Sequence, residues 1–157
     1  MTTDKRKRLG VAAALACCIA IPAEGLRQYA YKDPVGILTI CYGATGDVRP
    51  GQTATLEECK ARLDKDMTEA INDVERCVPN LPENVLAAFG DAAFNVGPKI
   101  ACGPSTANKY LIAGNLVAAC NELPKWDKAK VAGQYVALPG LTKRRAAERD
   151  LCLKGAQ

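Results

Sequence analysis

The chain reads as an α+β domain, mainly helical, with one small β-hairpin region near its N-terminal end. Three observations carry that expectation. Asp33-Pro34-Val35-Gly36 is turn chemistry, and Ile37-Leu38-Thr39-Ile40-Cys41 after it is rich in β-formers. Leu56, Cys59, Leu63, Met67, Ala70, Ile71, Val74 and Val78 recur mostly at intervals of three and four, the period of a long amphipathic helix. Val85 to Val96 is apolar nearly all round, as in a helix buried at the centre of a domain. A length of 157 residues, 48% of them apolar and 24% charged, makes one domain with room for a real core.

The elements follow in order. Residues 9–27 read as helix, with Pro22 near its end as a kink. Residues 29–48 are the hairpin region, and Pro50-Gly51 marks another turn. Thr55-Leu56-Glu57-Glu58 matches a capping box, so the long helix starts there. Pro79 and Pro82 punctuate, and Gly97-Pro98 ends the apolar helix. Ser105 to Ala113 and Asn115 to Glu122 read as two short helices parted near Gly114. Asp127 to Pro139 shows no period and is expected to be irregular, with Leu138-Pro139-Gly140 as a break. Thr142 to Leu153 reads as a basic terminal helix.

Composition excludes several functions. The net charge of +4 is mild and suits an acidic partner such as a bacterial envelope. Only eight residues are aromatic and no basic block is interleaved with them, so nucleic acid is not an expected partner. The absence of histidine removes Ser-His and Cys-His nucleophile systems and imidazole zinc sites. No CxxC pair exists, so a four-cysteine zinc ribbon is not expected, and the reading calls for no metal and no cofactor. The eight cysteines are many for this length, and their even number points to disulfides in an oxidising compartment such as the periplasm. Eight free thiols in a cytosolic protein is the alternative.

Lys5-Arg6-Lys7-Arg8 precedes an uncharged, Ala-rich run from Leu9 to Ala23, the pattern of a secretory signal. The run is shorter than the roughly 20 residues of a transmembrane helix, and its small side chains leave it marginally stable in lipid. Residues 1–23 therefore read as a signal-anchor segment that is also the first helix, ahead of a domain at 24–157. Cleavage after Ala20, lipoprotein processing at Cys18, and a plain buried first helix compete with a released anchor. Leu15-Ala16-Cys17-Cys18 departs from the lipoprotein pattern at Cys17.

Glu24-Gly25-Leu26, Tyr31-Lys32-Asp33-Pro34-Val35-Gly36 and Thr39-Ile40-Cys41-Tyr42-Gly43 place a Glu, an Asp and a Thr at offsets of nine and six. Glycoside hydrolysis commonly needs two carboxylates flanking one bond. A glycosidic oxygen leaves poorly unless it is protonated as the bond breaks, and a carboxylic acid in a partly dry site supplies that proton. Glu24, with apolar neighbours upstream, fits that role. Asp33 stays ionised, as a base for water or a stabiliser of the oxocarbenium-like centre. The Thr39 hydroxyl can hold the nucleophilic water on the opposite face. Singly, Asp33 before Pro34 is an ordinary turn starter and Thr39 an ordinary strand residue. The joint spacing is the signal.

These motifs resemble the phage T4-type lysozymes, endolysins that cut bacterial peptidoglycan, and among them the signal-anchor-release endolysins with a Glu/Asp/Thr triad. The likeness runs from about residue 12 to residue 153. It implies a two-lobed fold, with a small β-hairpin lobe and a larger helical lobe joined by a long helix. It implies an inverting muramidase acting between N-acetylmuramic acid and N-acetylglucosamine for host lysis, with Glu24, Asp33 and Thr39 catalytic. Phe94-Asn95-Val96-Gly97, Thr106, Asn121 and Trp126 fall where cleft residues are expected, and Gly140 to Arg149 resembles the terminal G-L-x-x-R-R-x-x-E-R motif. Ala44 departs from the family's common His, and Cys41 from a Gly. The resemblance and chain order suggest disulfides Cys41–Cys59, Cys77–Cys102 and Cys120–Cys152, leaving Cys17 and Cys18 as anchor thiols. It implies a monomer, exported to the periplasm and first tethered to the inner membrane through residues 9–23. A released anchor is favoured over a cleaved one because cleavage would remove the helix that positions Glu24. A lytic transglycosylase, or a non-catalytic peptidoglycan-binding module, is the rival reading.

Overall fold

The computed structural model describes residues 1–157, and the order of its elements explains how a distant N-terminal residue reaches the middle of the molecule. Helix α1 spans Thr3–Glu24. It begins earlier than expected because the Thr2 hydroxyl accepts the Lys5 N–H at 3.3 Å and caps the basic stretch. It stops at Glu24, not at residue 27, because Gly25 turns to φ 71 and closes the last turn onto Ile21. Ala12, Ala16 and Ala20 form a stripe at intervals of four with no exposed surface, with Cys17 beside it. Small side chains there let α1 lie close against its neighbours. The run that resembles a signal thus also presents one buried face to the core.

Strands β1 (Arg27–Lys32) and β2 (Leu38–Cys41) form the antiparallel hairpin, pairing Tyr31 with Thr39 and Lys32 with Leu38. The register shifts between Arg27 and Tyr31, where β1 bridges instead to Thr53. Helix α2 (Leu56–Cys77) carries the capping box as expected: Thr55 Oγ1 accepts the Glu58 N–H at 3.1 Å and Glu58 Oε2 accepts the Thr55 N–H at 2.7 Å. Cys59, Leu63, Met67, Ala70, Ile71 and Val74 are buried as the period predicts, but Leu56 is exposed, because the first turn projects past the core.

Helix α3 (Glu83–Val96) is the centre of the molecule: every residue from Val85 to Ala93 is buried, and α1, α2 and α6 pack around it. Gly90 makes this possible, since a Cβ there would stand 2.1 Å from Ile71 Cδ1. Helices α4 (Thr106–Ile112) and α5 (Leu116–Glu122) start on side-chain caps from Ser105 and Asn115.

Two expectations fail in the C-terminal part. Residues 127–139 are not irregular: β3 (Lys128–Val131) and β4 (Gln134–Ala137) form a second antiparallel hairpin. Its two-residue loop is Ala132-Gly133, both at positive φ (50° and 83°), and alanine there hides the usual Asn-Gly signal. Helix α6 (Pro139–Gly155) opens on Pro139 instead of breaking there, because a proline in the first turn forfeits no helical hydrogen bond. Nor is α6 a solvated basic helix: Arg144, Arg145 and Glu148 point inward and are buried.

Three disulfides form in the pairing the resemblance implies. Cys41–Cys59 ties β2 to α2, Cys77–Cys102 ties the end of α2 to the loop beyond α3, and Cys120–Cys152 ties α5 to α6. Cys17 is a buried free thiol and Cys18 an exposed one. Burial, together with the Asp64 carboxylate, pushes the Cys17 thiol up to about 12, so it stays protonated at neutral pH. No helix of the structure is long and apolar enough to cross a membrane.

Candidate active site

Glu24 closes α1 and its carboxylate is half-buried at the junction of three elements. A cleft of about 550 Å³ opens beside it. Gly43, Ala44 and Thr45 form one wall, from the tight loop that follows β2 and is closed by the Ile40–Ala44 bridge. Asp66, Glu69 and Asp73 line a second wall on one face of α2. Phe94 and Asn95, at the end of α3, form the third. Gly43 is required: its φ is 79°, and a Cβ there would lie 2.8 Å from Glu24 Oε2.

Arg144 of α6 grips the other oxygen, pairing its Nη1 with Glu24 Oε1. Its Nε and Nη2 donate to Asp91 Oδ2 and Oδ1 at 2.9 and 2.8 Å. The guanidinium also lies 5.9 Å from the centre of the Phe94 ring. Burial alone would lower the Arg144 pKa, but Asp91 and then Glu24 raise it, so the arginine is a fixed cation. Behind it, Arg145 donates to Asn95 Oδ1 at 2.9 Å and to Glu148 Oε1 at 2.7 Å. Burial pushes the Glu148 carboxyl upward, against the opposing pull of Arg145. On the cleft wall, burial raises Asp66, against the opposing pull of Arg62.

Asp33 sits just past β1, at the hairpin turn. Its Oδ1 accepts the Val35 N–H at 2.9 Å and the Ile37 N–H at 2.8 Å. Thr39 is buried, faces Tyr31 across the hairpin, and donates its hydroxyl to Ile37 O at 3.0 Å. Neither lines the cleft that Glu24 borders; both lie along the hairpin whose other end, Gly43, touches Glu24. Phe94 and Asn95 line the cleft where the sequence expects them. Thr106 is exposed on the first turn of α4, Asn121 accepts Arg149 Nε at 2.7 Å, and Trp126 packs against the core. These three stand outside this cleft.

Asp91 and Arg144 are a buried pair at the site that residue-by-residue reading passes over. Asp91 left a signal: it is the one charge within the buried stretch Val85 to Ala93 and so requires a cation.

The family model described as phage lysozyme matches residues 22–148, which takes in Glu24, the three cleft walls and Arg144. The chain belongs to the phage lysozyme family. Among its relatives is the SAR-endolysin of Bacteriophage PS119, 39% identical over 136 residues, covering 85% of this chain and 78% of that one. The active form of the phage P1 endolysin superposes with a TM-score of 0.78 at 30% identity, covering 90% of this chain and 84% of that one. Its secreted inactive form gives a TM-score of 0.58 at 25% identity, covering 92% and 94%. The muramidase domain of SpmX from Asticaccaulis excentricus gives 0.77 at 31% identity, covering 90% and 94%. This phage lysozyme chain superposes better on the active form of that endolysin than on its inactive form.

Proposed function

We propose that the protein is an endolysin that hydrolyses the β-1,4 bond between N-acetylmuramic acid and N-acetylglucosamine in peptidoglycan, with Glu24 as the general acid. The observation that carries this is the Glu24 carboxylate, held by Arg144 through Oε1 and turned to the cleft edge at Gly43 through Oε2. Oε2 carries the proton and gives it to the glycosidic oxygen as the bond breaks. Phe94 offers an apolar face to a sugar ring, and Asn95, braced by Arg145, an amide to its polar groups. Asp33 and Thr39 act on the attacking water. The Asp33 carboxylate, anchored through Oδ1 by two backbone N–H groups, takes the proton of the water, and the Thr39 hydroxyl orients the nucleophile. Water attacks opposite the leaving oxygen and the anomeric configuration inverts.

The N-terminal helix supports export with a releasable anchor. While residues 9–23 lie in lipid, α1 cannot fill the core through Ala12, Ala16 and Ala20, and Glu24 is not delivered to its cleft. The membrane-held form is then inactive for a geometric reason. Protein trapped in membranes lyses peptidoglycan far more slowly than the released form; equal rates contradict this.

Product analysis on purified peptidoglycan tests the chemistry. Hydrolysis yields new reducing ends of inverted configuration, and Asp33→Ala lowers the rate at least a hundredfold. An anhydro product with Asp33→Ala fully active indicates a transglycosylase instead. Binding without new ends indicates a non-catalytic module.

A further inference from the structure

Arg144 does not meet Glu24 alone. Two of its donors form a fork on Asp91, at 2.8 and 2.9 Å, and Nη1 is what remains for Glu24. Asp91 has no exposed surface and lies behind the arginine, away from the three walls of the cleft. We infer that Asp91 is a positioning residue for Glu24, acting through Arg144: its fork fixes the guanidinium plane so that Nη1 meets Oε1, and its charge offsets the arginine so that Glu24 can hold a proton on Oε2. This rests on the reading of Glu24 as the acid.

The electrostatic reasoning is direct. A guanidinium facing one carboxylate favours its ionised form, the wrong form for an acid. A guanidinium already neutralised by a second carboxylate exerts a much weaker pull. The other charged groups near Glu24 leave this role to Asp91. On α6, Glu148 is 3.8 Å from Arg144 Nε, but its Oε1 is engaged by Arg145 at 2.7 Å. Arg145 itself is engaged by Glu148 and Asn95. On α2, Asp66, Glu69 and Asp73 face the open cleft, where solvent screens them. The hairpin presents only uncharged Gly43, Ala44 and Thr45, and Asp33 stands at its other end.

The test is kcat and KM against pH on soluble peptidoglycan fragments. Asp91→Asn lowers kcat about tenfold, leaves KM within about twofold, and moves the basic limb of the profile about one unit lower. In an Arg144→Gln background the same change no longer moves that limb. Asp91→Glu keeps the charge but displaces the fork by a methylene, so it leaves the limb in place and lowers kcat severalfold. A basic limb unmoved in Asp91→Asn, or moved equally without Arg144, overturns the inference. So does a folded Asp91→Glu protein with wild-type kcat, which decides the matter if Asp91→Asn does not fold. Glu24→Gln separates the two levels. Activity surviving that change removes the acid assignment itself. Activity lost there, with the Asp91→Asn profile unmoved, removes only the role of Asp91.

Discussion

Gly43 carries no side chain because Glu24 occupies the place where one would stand. A methyl group there meets Oε2 at 2.8 Å and also strains a backbone at φ 79°. Gly43→Ala is therefore expected to cut lysis at least tenfold while the far-ultraviolet circular dichroism stays near wild type; full lysis by this variant contradicts the placement of Glu24. Glu75 shows the same logic for stability. It is buried, accepts Arg8 at 2.5 Å and lies 3.3 Å from Lys5. Burial alone would raise its pKa, but Arg8, the Asn80 N–H and Lys5 together hold it below the ordinary carboxylate range. A depressed folded-state pKa contributes stability that is present above the unfolded value and lost as pH falls through the folded one. The melting-temperature gap between wild type and Glu75→Gln should accordingly be widest near neutrality and narrow below about pH 4. A gap independent of pH contradicts the ion pairs.

At the scale of elements, the legible features were those with local chemistry. The capping box at Thr55 and Glu58, the turn at Asp33 to Gly36 and the caps at Ser105 and Asn115 each satisfy backbone groups close in sequence, so the residues announce them. The second hairpin was illegible because Ala132 takes a positive φ without the usual Asn or Gly, and its mostly exposed strands show no alternation. The inward turn of Arg144 and Arg145 was illegible for another reason. Their partners, Asp91, Glu24 and Asn95, lie 50 to 120 positions away, and only the fold brings them together. The Cys120–Cys152 bridge fixes the helix that carries those arginines to α5 across a separation of 32 residues. Replacing both cysteines by serine should lower unfolding free energy by about 2–4 kcal/mol in denaturant titration. An unchanged midpoint contradicts a structural role for that bridge.

The whole molecule is organised around α3, with α1 packed on it as one of three helices. In the folded state α1 fills the core with its alanine stripe, anchors its basic end on Glu75 and Leu81 O, and delivers Glu24 to the cleft. The apolar run had two legible readings, an anchor and a core helix; the structure displays the second, and the anchor belongs to the proposed release mechanism. A protein beginning at residue 24 should lack lytic activity and lose its near-ultraviolet circular dichroism, because the core loses one of the three helices packed on α3. A truncated protein that lyses normally contradicts this coupling. The most direct measurement for the account is turbidity loss of purified peptidoglycan with wild type and Glu24→Gln, both released from the membrane and both checked for native fold. The account predicts rapid clearing by wild type and a loss of at least a hundredfold with the isosteric change. Equal clearing by the two proteins contradicts the claim that the carboxyl at the end of α1 supplies the proton.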